Sequence, residues 1–280
     1  MQDSSIAGID HAVILVRDID AAVQTYRRLG FSPTPRGYHS FGTQNHCLMF
    51  GANYLELLSV VRPDPATQYF SSFLEAGEGA GAIAFSSNDS QASHARLLAA
   101  GIHADEPVDF SRPVELADGA HDARFRITQL PVAATPGCRT FLCQHFTPEL
   151  VWRPEYQQHP LGVTGIAGLT LTADQPREAI DAFARVTGLQ PEATDDGWAI
   201  VIGSVRLEYS GDEALKRRLN GARIPDRPAP MIAAVHLRVA DAGITGDVLS
   251  RGGVAPTVLP DGSLAIDAEE ACGVVLTFRT

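Results

Sequence analysis

The segment GIDHAVILVRD, residues 8–18, alternates Ile9, His11, Val13 and Leu15 with Ala12, Ile14 and Val16. Apolar side chains on both sets of positions predict a strand covered on its two faces. Asp18 then stands at an N-cap position, and IDAAVQTYRRLG sets Ile19, Ala22, Val23 and Tyr26 at helical spacing until Gly30 stops the run. Two short strand-like runs follow, QNHCLMFG and NYLELLSVV, parted at Gly51.

The same order returns from Gly165. GIAGLTLTAD reads as a strand, PREAIDAFARVTG as a helix, and WAIVIG and VRLEYS as paired strands. GANYLELLSV aligns without gaps on GSVRLEYSGD, which sets Glu56 on Glu208 and marks an internal repeat. Two weaker copies fill the remainder: GAIAFSSND, SQASHARLLAAG, ARFRITQL and RTFLCQHF, then IAAVHLRVAD, ITGDVLSRGG and GVVLTFR. Proline-containing connections separate the copies, in VRPDPATQ, TPELVWRPEYQQHP and ARIPDRPAP. The predicted fold is α+β: four βαβββ modules at about 7–62, 79–147, 163–212 and 230–280, paired into halves 1–160 and 161–280. In each half, curved mixed or antiparallel sheets are expected to enclose a cavity.

Composition narrows the functions. With 280 residues, 45% of them hydrophobic, the chain is long enough to bury one large core or two ordinary ones. Its 33 acidic against 22 basic residues give a net charge of -11, which would repel nucleic acid and anionic membrane surfaces. The start MQDSSIAGID carries no signal-peptide pattern and no apolar run approaches the ~18 residues of a membrane span, so a cytoplasmic location is expected. Cys47, Cys138, Cys143 and Cys272 form no CxxC pair, which argues for reduced, packed thiols.

HAVILVRD, the helix ending in RRLGF and the closing YLELL resemble the first module of the vicinal oxygen chelate superfamily, and CQHFTPELVWRPEYQQHP resembles its glyoxalase-like family. In that superfamily a module's first strand often supplies a metal-binding His and its last strand a metal-binding Glu. The resemblance places these at His11 and Glu56. The other modules depart from the pattern, with Gly81, Gly168 and Ala234 at the His11 position and Cys143, Glu208 and Thr277 at the Glu56 position. A divalent metal (Zn, Ni, Mn or Fe(II)) is therefore sought in the N-terminal half.

Each candidate has a plainer alternative. His11 lies in an apolar strand, where a hydrogen-bonded core histidine is the competing reading. Glu56, between two leucines, needs either a cation or a buried arginine, because an unpaired buried carboxylate costs several kcal/mol. Glu208 is a candidate for the arginine solution. Alternation puts His145 on the face of Cys143, which makes it a third ligand or the anchor of the TPELVW loop. His46 is read as a catalytic proton carrier, a further ligand or an edge residue. Substrate contacts are assigned to His39, Asn45, Gln144, Phe146 and Trp152, although a tryptophan there also serves as a packing wedge.

Two functions follow. In the first, the protein is a metal-dependent enzyme that chelates adjacent oxygens of a small substrate, for isomerase, lyase or dioxygenase chemistry, with Glu56 and His46 catalytic. In the second, it is a metal-free sequestering protein of the bleomycin-resistance type. A homodimer is expected from exposed sheet edges.

Overall fold

The computed structural model describes residues 6–116 and 119–280. The first five residues, part of the start read above for targeting, lie outside them. In the N-terminal half the chain runs through β1 (Ile6–Leu15), α1 (Ile19–Arg28), β2 (Gly37–Tyr38), β3 (Thr43–Met49), β4 (Tyr54–Val60), α2 (Gln68–Glu75), β5 (Gly79–Ser87), α3 (Ser90–Ala99), β6 (Val108–Leu116), β7 (Gly119–Gln129) and β8 (Arg139–His145). The C-terminal half comprises β9 (Val163–Thr172), α4 (Pro176–Thr187), β10 (Glu192–Ala193), β11 (Gly197–Ile202), β12 (Val205–Ser210), α5 (Asp212–Arg218), β13 (Met231–Val239), α6 (Ala242–Arg251), β14 (Thr257–Val258), β15 (Leu264–Ile266) and β16 (Val275–Arg279). No helix among the described residues is long and apolar enough to cross a membrane.

Local chemistry sets the repeated strand-to-helix turn. Asp18 accepts hydrogen bonds from the Asp20 and Ala21 amides at the start of α1. Asp89 does the same for α3 and Asp241 caps α6, while α4 begins on Pro176, whose missing N–H costs nothing in a first turn. Gly30 ends the α1 region at φ 87°, a conformation that strains any residue with a Cβ.

Each half forms one eight-stranded sheet, in the orders β2-β3-β4-β1-β5-β8-β7-β6 and β10-β11-β12-β9-β13-β16-β15-β14. The repeat is visible in the register. Within the parallel pair β1 and β4, Val13 lies beside Glu56, and within β9 and β12, Thr170 lies beside Glu208. In the second module, Ala84 pairs with Phe141 and Ser86 with Cys143. Ala84 therefore takes the His11 position, not Gly81 as the sequence suggested.

Strand β1 breaks the expected alternation. Ile9 pairs with Phe85 and His11 with Ala84, so Asp10 is an extra residue in a β-bulge. Ile9 consequently joins Ala12 and Ile14 in the core, on the opposite side from His11, contrary to the simple alternation.

The helix-facing sides of both sheets share one core, which includes Ile14, Tyr26, Phe85, Phe183, Tyr209 and Phe278. The Phe85 and Phe183 rings meet edge-on at 6.3 Å, and Tyr26 donates to the Ala271 carbonyl at 3.1 Å. Burying each such aromatic side chain is worth about 1.5–3 kcal/mol, so the halves stabilise one another. The elements not anticipated have local causes. Pro113 lies within β6, which is tolerated because β6 is the sheet's last strand, and α2 occupies the proline-rich connection.

Candidate functional site

On the sheet face away from α1, a cavity of about 380 Å³ opens in the N-terminal half. Alternation aims one side chain in two at it: His11 and Val13 from β1, Asn45 and Cys47 from β3, Glu56 and Leu58 from β4, Phe125 from β7 and Phe141 from β8. Phe41 and Phe110 complete an aromatic wall, in which Phe110 stacks on Phe125 at 4.9 Å and Phe41 on the His39 ring at 5.0 Å.

The polar groups form one connected chain. His11 Nε2 lies 3.5 Å from Glu56 Oε2, and both side chains are at most 8% exposed. His11 Nδ1 donates to Asp10 Oδ1 at 2.6 Å, and its ring stacks on Tyr54 at 4.4 Å. That bond leaves the Nε2 edge of the ring facing Glu56. Asn45 donates to Glu56 Oε1 at 2.5 Å, and Gly37 gives Asn45 its room, since a Cβ there would collide with the Asn45 amide oxygen. His39 Nε2 stands 4.0 Å from Glu56 Oε1 while its Nδ1 is engaged with Thr43 Oγ1 at 2.7 Å. Burial holds His39 below the usual imidazole range, opposed by the Glu56 carboxylate. Among the described residues, no arginine pairs with Glu56.

Asp10 was not anticipated, because the bulge that turns it inward is invisible to alternation. It is buried, and burial opposes its ionisation. Hydrogen bonds from His11 and His145 outweigh that and hold it well below the usual carboxylate range. His145 Nε2 lies 3.1 Å from Asp10 Oδ2 and 3.5 Å from Cys143 Sγ, while its Nδ1 is buried with no hydrogen-bond partner. Asp10, Cys143 and His145 bring one ligand atom each within 4.8 Å of one another, the one such group among the described residues. His11, Glu56 and His145 are thus linked through Asp10 rather than gathered around a single point.

His39 and Asn45 line the cavity. Other expectations need correction. His46 pairs with Leu57, so it points away from Glu56, and its Nδ1 meets the Thr34 carbonyl at 2.6 Å beside Arg36. Asn45 and His46 are sequence neighbours on one strand, so only one of them faces the cavity. Gln144 also faces outward, accepting from the Ser90 amide at 2.9 Å and donating to the Asn88 carbonyl at 2.9 Å. Phe146 is exposed between Arg124 and Arg126. Trp152 is a wedge, edge-on to His145 at 4.7 Å and Tyr54 at 5.8 Å.

The equivalent cavity of the C-terminal half, also about 380 Å³, has different contents. Glu208 is ion-paired with Arg218 and lies 4.0 Å from Arg206. His236 spans two threonines, with Nε2 at 2.7 Å from Thr170 Oγ1 and Nδ1 at 2.7 Å from Thr277 Oγ1. Burial, then Arg218 and Arg279, push its pKa down to about 3, so it is neutral at pH 7.

Comparisons with known proteins agree with this architecture. The glyoxalase-like domain family matches residues 9–187, and the chain belongs to that family. No curated protein sequence matches it. A solved hypothetical protein from Staphylococcus aureus is similar over 97% of this chain and 98% of its own, at TM-score 0.70 and 13% identity. A mutant 4-hydroxymandelate synthase from Streptomyces coelicolor is similar over 97% of this chain and 92% of its own, at TM-score 0.58 and 13% identity. A xylose isomerase-like TIM barrel/4-hydroxyphenylpyruvate dioxygenase fusion protein is similar over 92% of this chain and 40% of its own, at TM-score 0.55 and 15% identity.

Proposed function

We propose that the protein is a metal-dependent enzyme of the glyoxalase-like type, acting in its N-terminal cavity on a small organic molecule that carries adjacent oxygens. One observation supports this above the rest: Glu56 is buried without an arginine and faces an imidazole nitrogen whose ring is oriented by a second carboxylate. Two ligands bound at about 2.0–2.2 Å in tetrahedral geometry stand about 3.3–3.6 Å apart, and His11 Nε2 and Glu56 Oε2 are separated by 3.5 Å. The pair would suit a divalent ion, with His145, now hydrogen-bonded to Asp10 at 3.1 Å, as the candidate third ligand. When bound, such an ion acts as a Lewis acid on adjacent substrate oxygens and suits isomerase, lyase or dioxygenase chemistry.

The chain's own residues supply the rest. Asp10 fixes the His11 tautomer and Asn45 holds the Glu56 carboxylate in place. His39, neutral and 4.0 Å from Glu56, replaces His46 as the proton carrier, since its Nε2 can take a proton from Glu56 or from substrate. Phe41, Phe110 and Phe125 keep water from the reacting face and suit a substrate with an apolar or aromatic body. A metal-free binding protein is the second reading. It is favoured by Ala84 and Cys143, which put neither histidine nor carboxylate at the second module's register positions.

Thermal unfolding with and without a chelator separates the two. The enzyme reading expects a chelator to lower the midpoint of the wild-type protein, and Glu56→Gln to abolish that response. A wild-type protein indifferent to chelator, beside a Gln variant of equal thermal stability, would support the metal-free reading.

A further inference from the structure

We infer that the C-terminal cavity is a second binding site, selective for a small organic carboxylate whose anionic group is held by Arg279. The inference concerns a different cavity from the proposed catalytic one and does not depend on any metal there.

Three arginines, Arg206, Arg218 and Arg279, line this cavity against two carboxylates, Glu208 and Asp261. Arg206 and Arg218 are committed to Glu208, and Arg218 also donates to Thr170 at 3.5 Å. Asp261 accepts from the Ser263 hydroxyl at 2.6 Å and the Ser263 amide at 3.0 Å, and these bonds, with a smaller contribution from the Arg279 charge, hold it below the usual carboxylate range. Arg279 has no ion pair among the described residues. Its side chain shares the cavity face of β16 with Thr277, two residues away. With His236 neutral, the lining carries a net charge of three minus two, or one positive charge.

A free guanidinium at the rim of an electropositive cavity is a bidentate receptor for a carboxylate. A single surplus charge matches a monoanion better than a phosphate dianion. The lining offers apolar surface for the ligand's body at Leu215, Leu219 and Leu259. Threonines Thr170 and Thr277, both already bound to His236, present little spare polarity. An amphiphilic carboxylate therefore suits the cavity better than a sugar or an inorganic ion.

The test is calorimetric titration of the full-length protein with benzoate, benzamide and inorganic phosphate. Saturable benzoate binding is expected, with benzamide and phosphate weaker. Arg279→Gln should weaken benzoate about tenfold or more, as expected for loss of a charge-assisted hydrogen-bond pair, with unchanged thermal stability. Arg112→Gln, in the other cavity, should leave benzoate binding as it was. Absence of benzoate binding, tighter binding of phosphate or benzamide, or a loss caused by Arg112→Gln and not by Arg279→Gln would each overturn the inference.

Discussion

Glu56 and Glu208 hold the same register position in two copies of one module, yet each is stabilised by different neighbours. Glu208 is neutralised by Arg218 and Arg206, so its half has converted the position into an internal salt bridge. Glu56 has the imidazole nitrogens of His11 at 3.5 Å and His39 at 4.0 Å and an asparagine amide at 2.5 Å, none of which supplies a permanent positive charge. The cavities follow suit. Around Glu56 the lining includes Asp105, Glu106 and Asp109 against the single Arg112, whereas around Glu208 arginines outnumber carboxylates. One duplicated scaffold thus carries two cavities whose linings have opposite balances of charge. The module fixes where a carboxylate stands, and the neighbouring side chains decide what it does.

The largest effect that would sharpen this contrast is on activity and metal affinity at Glu56. Glu56→Gln should remove metal affinity by more than the roughly 10- to 100-fold loss typical of an outer partner, with the fold intact by circular dichroism. Asp10→Asn should cost about 10- to 100-fold in metal affinity, because the carboxylate that orients the His11 ring loses its charge. Metal titration followed by calorimetry checks both. An Asp10→Asn variant that binds metal as well as wild type would remove the orienting role assigned to that carboxylate.

The matching change in the other half should register in stability instead. Glu208→Gln leaves Arg218 without its charged partner and should destabilise by about 1–3 kcal/mol in urea unfolding, less than a fully buried pair would cost because Arg218 is partly exposed. It should leave metal content untouched. The last effect is pH-dependent and is spread over several pH units. His236 is neutral in the fold, with its pKa down at about 3, but titrates near 6.5 when unfolded. The unfolded chain therefore binds the extra proton below pH 6.5, so this group's contribution is complete above 6.5 and falls as the pH drops toward 3. The slope should be on the order of 1 kcal/mol per pH unit at most, and His236→Gln should flatten it in acid-unfolding curves.

Much of the architecture was legible because the signals were local and repeated. Strand, aspartate cap and helix recur at Asp18, Asp89 and Asp241, and the ungapped match of Glu56 to Glu208 announced the duplication. Strand β6 escaped because Pro113 and scattered charges erase its alternation, which an edge strand does not need. The cavity face was legible wherever alternation held, as at Glu56, and it failed at Asp10, where the bulge brings a second consecutive side chain inward. His46 and Gln144 failed for the opposite reason: strict alternation turns both away from residues correctly read as inward. The arginine on Glu208, anticipated as one of two solutions, comes from α5, and its absence at Glu56 depends on contacts between segments far apart in sequence.

The most direct test of the contrast is elemental analysis of wild type, Glu56→Gln and Glu208→Gln, each purified without a chelating tag. The account predicts about one divalent ion per chain in wild type and in Glu208→Gln, and essentially none in Glu56→Gln, as follows from loss of the main anionic ligand. Equal metal content in all three proteins, or none in wild type, would contradict it.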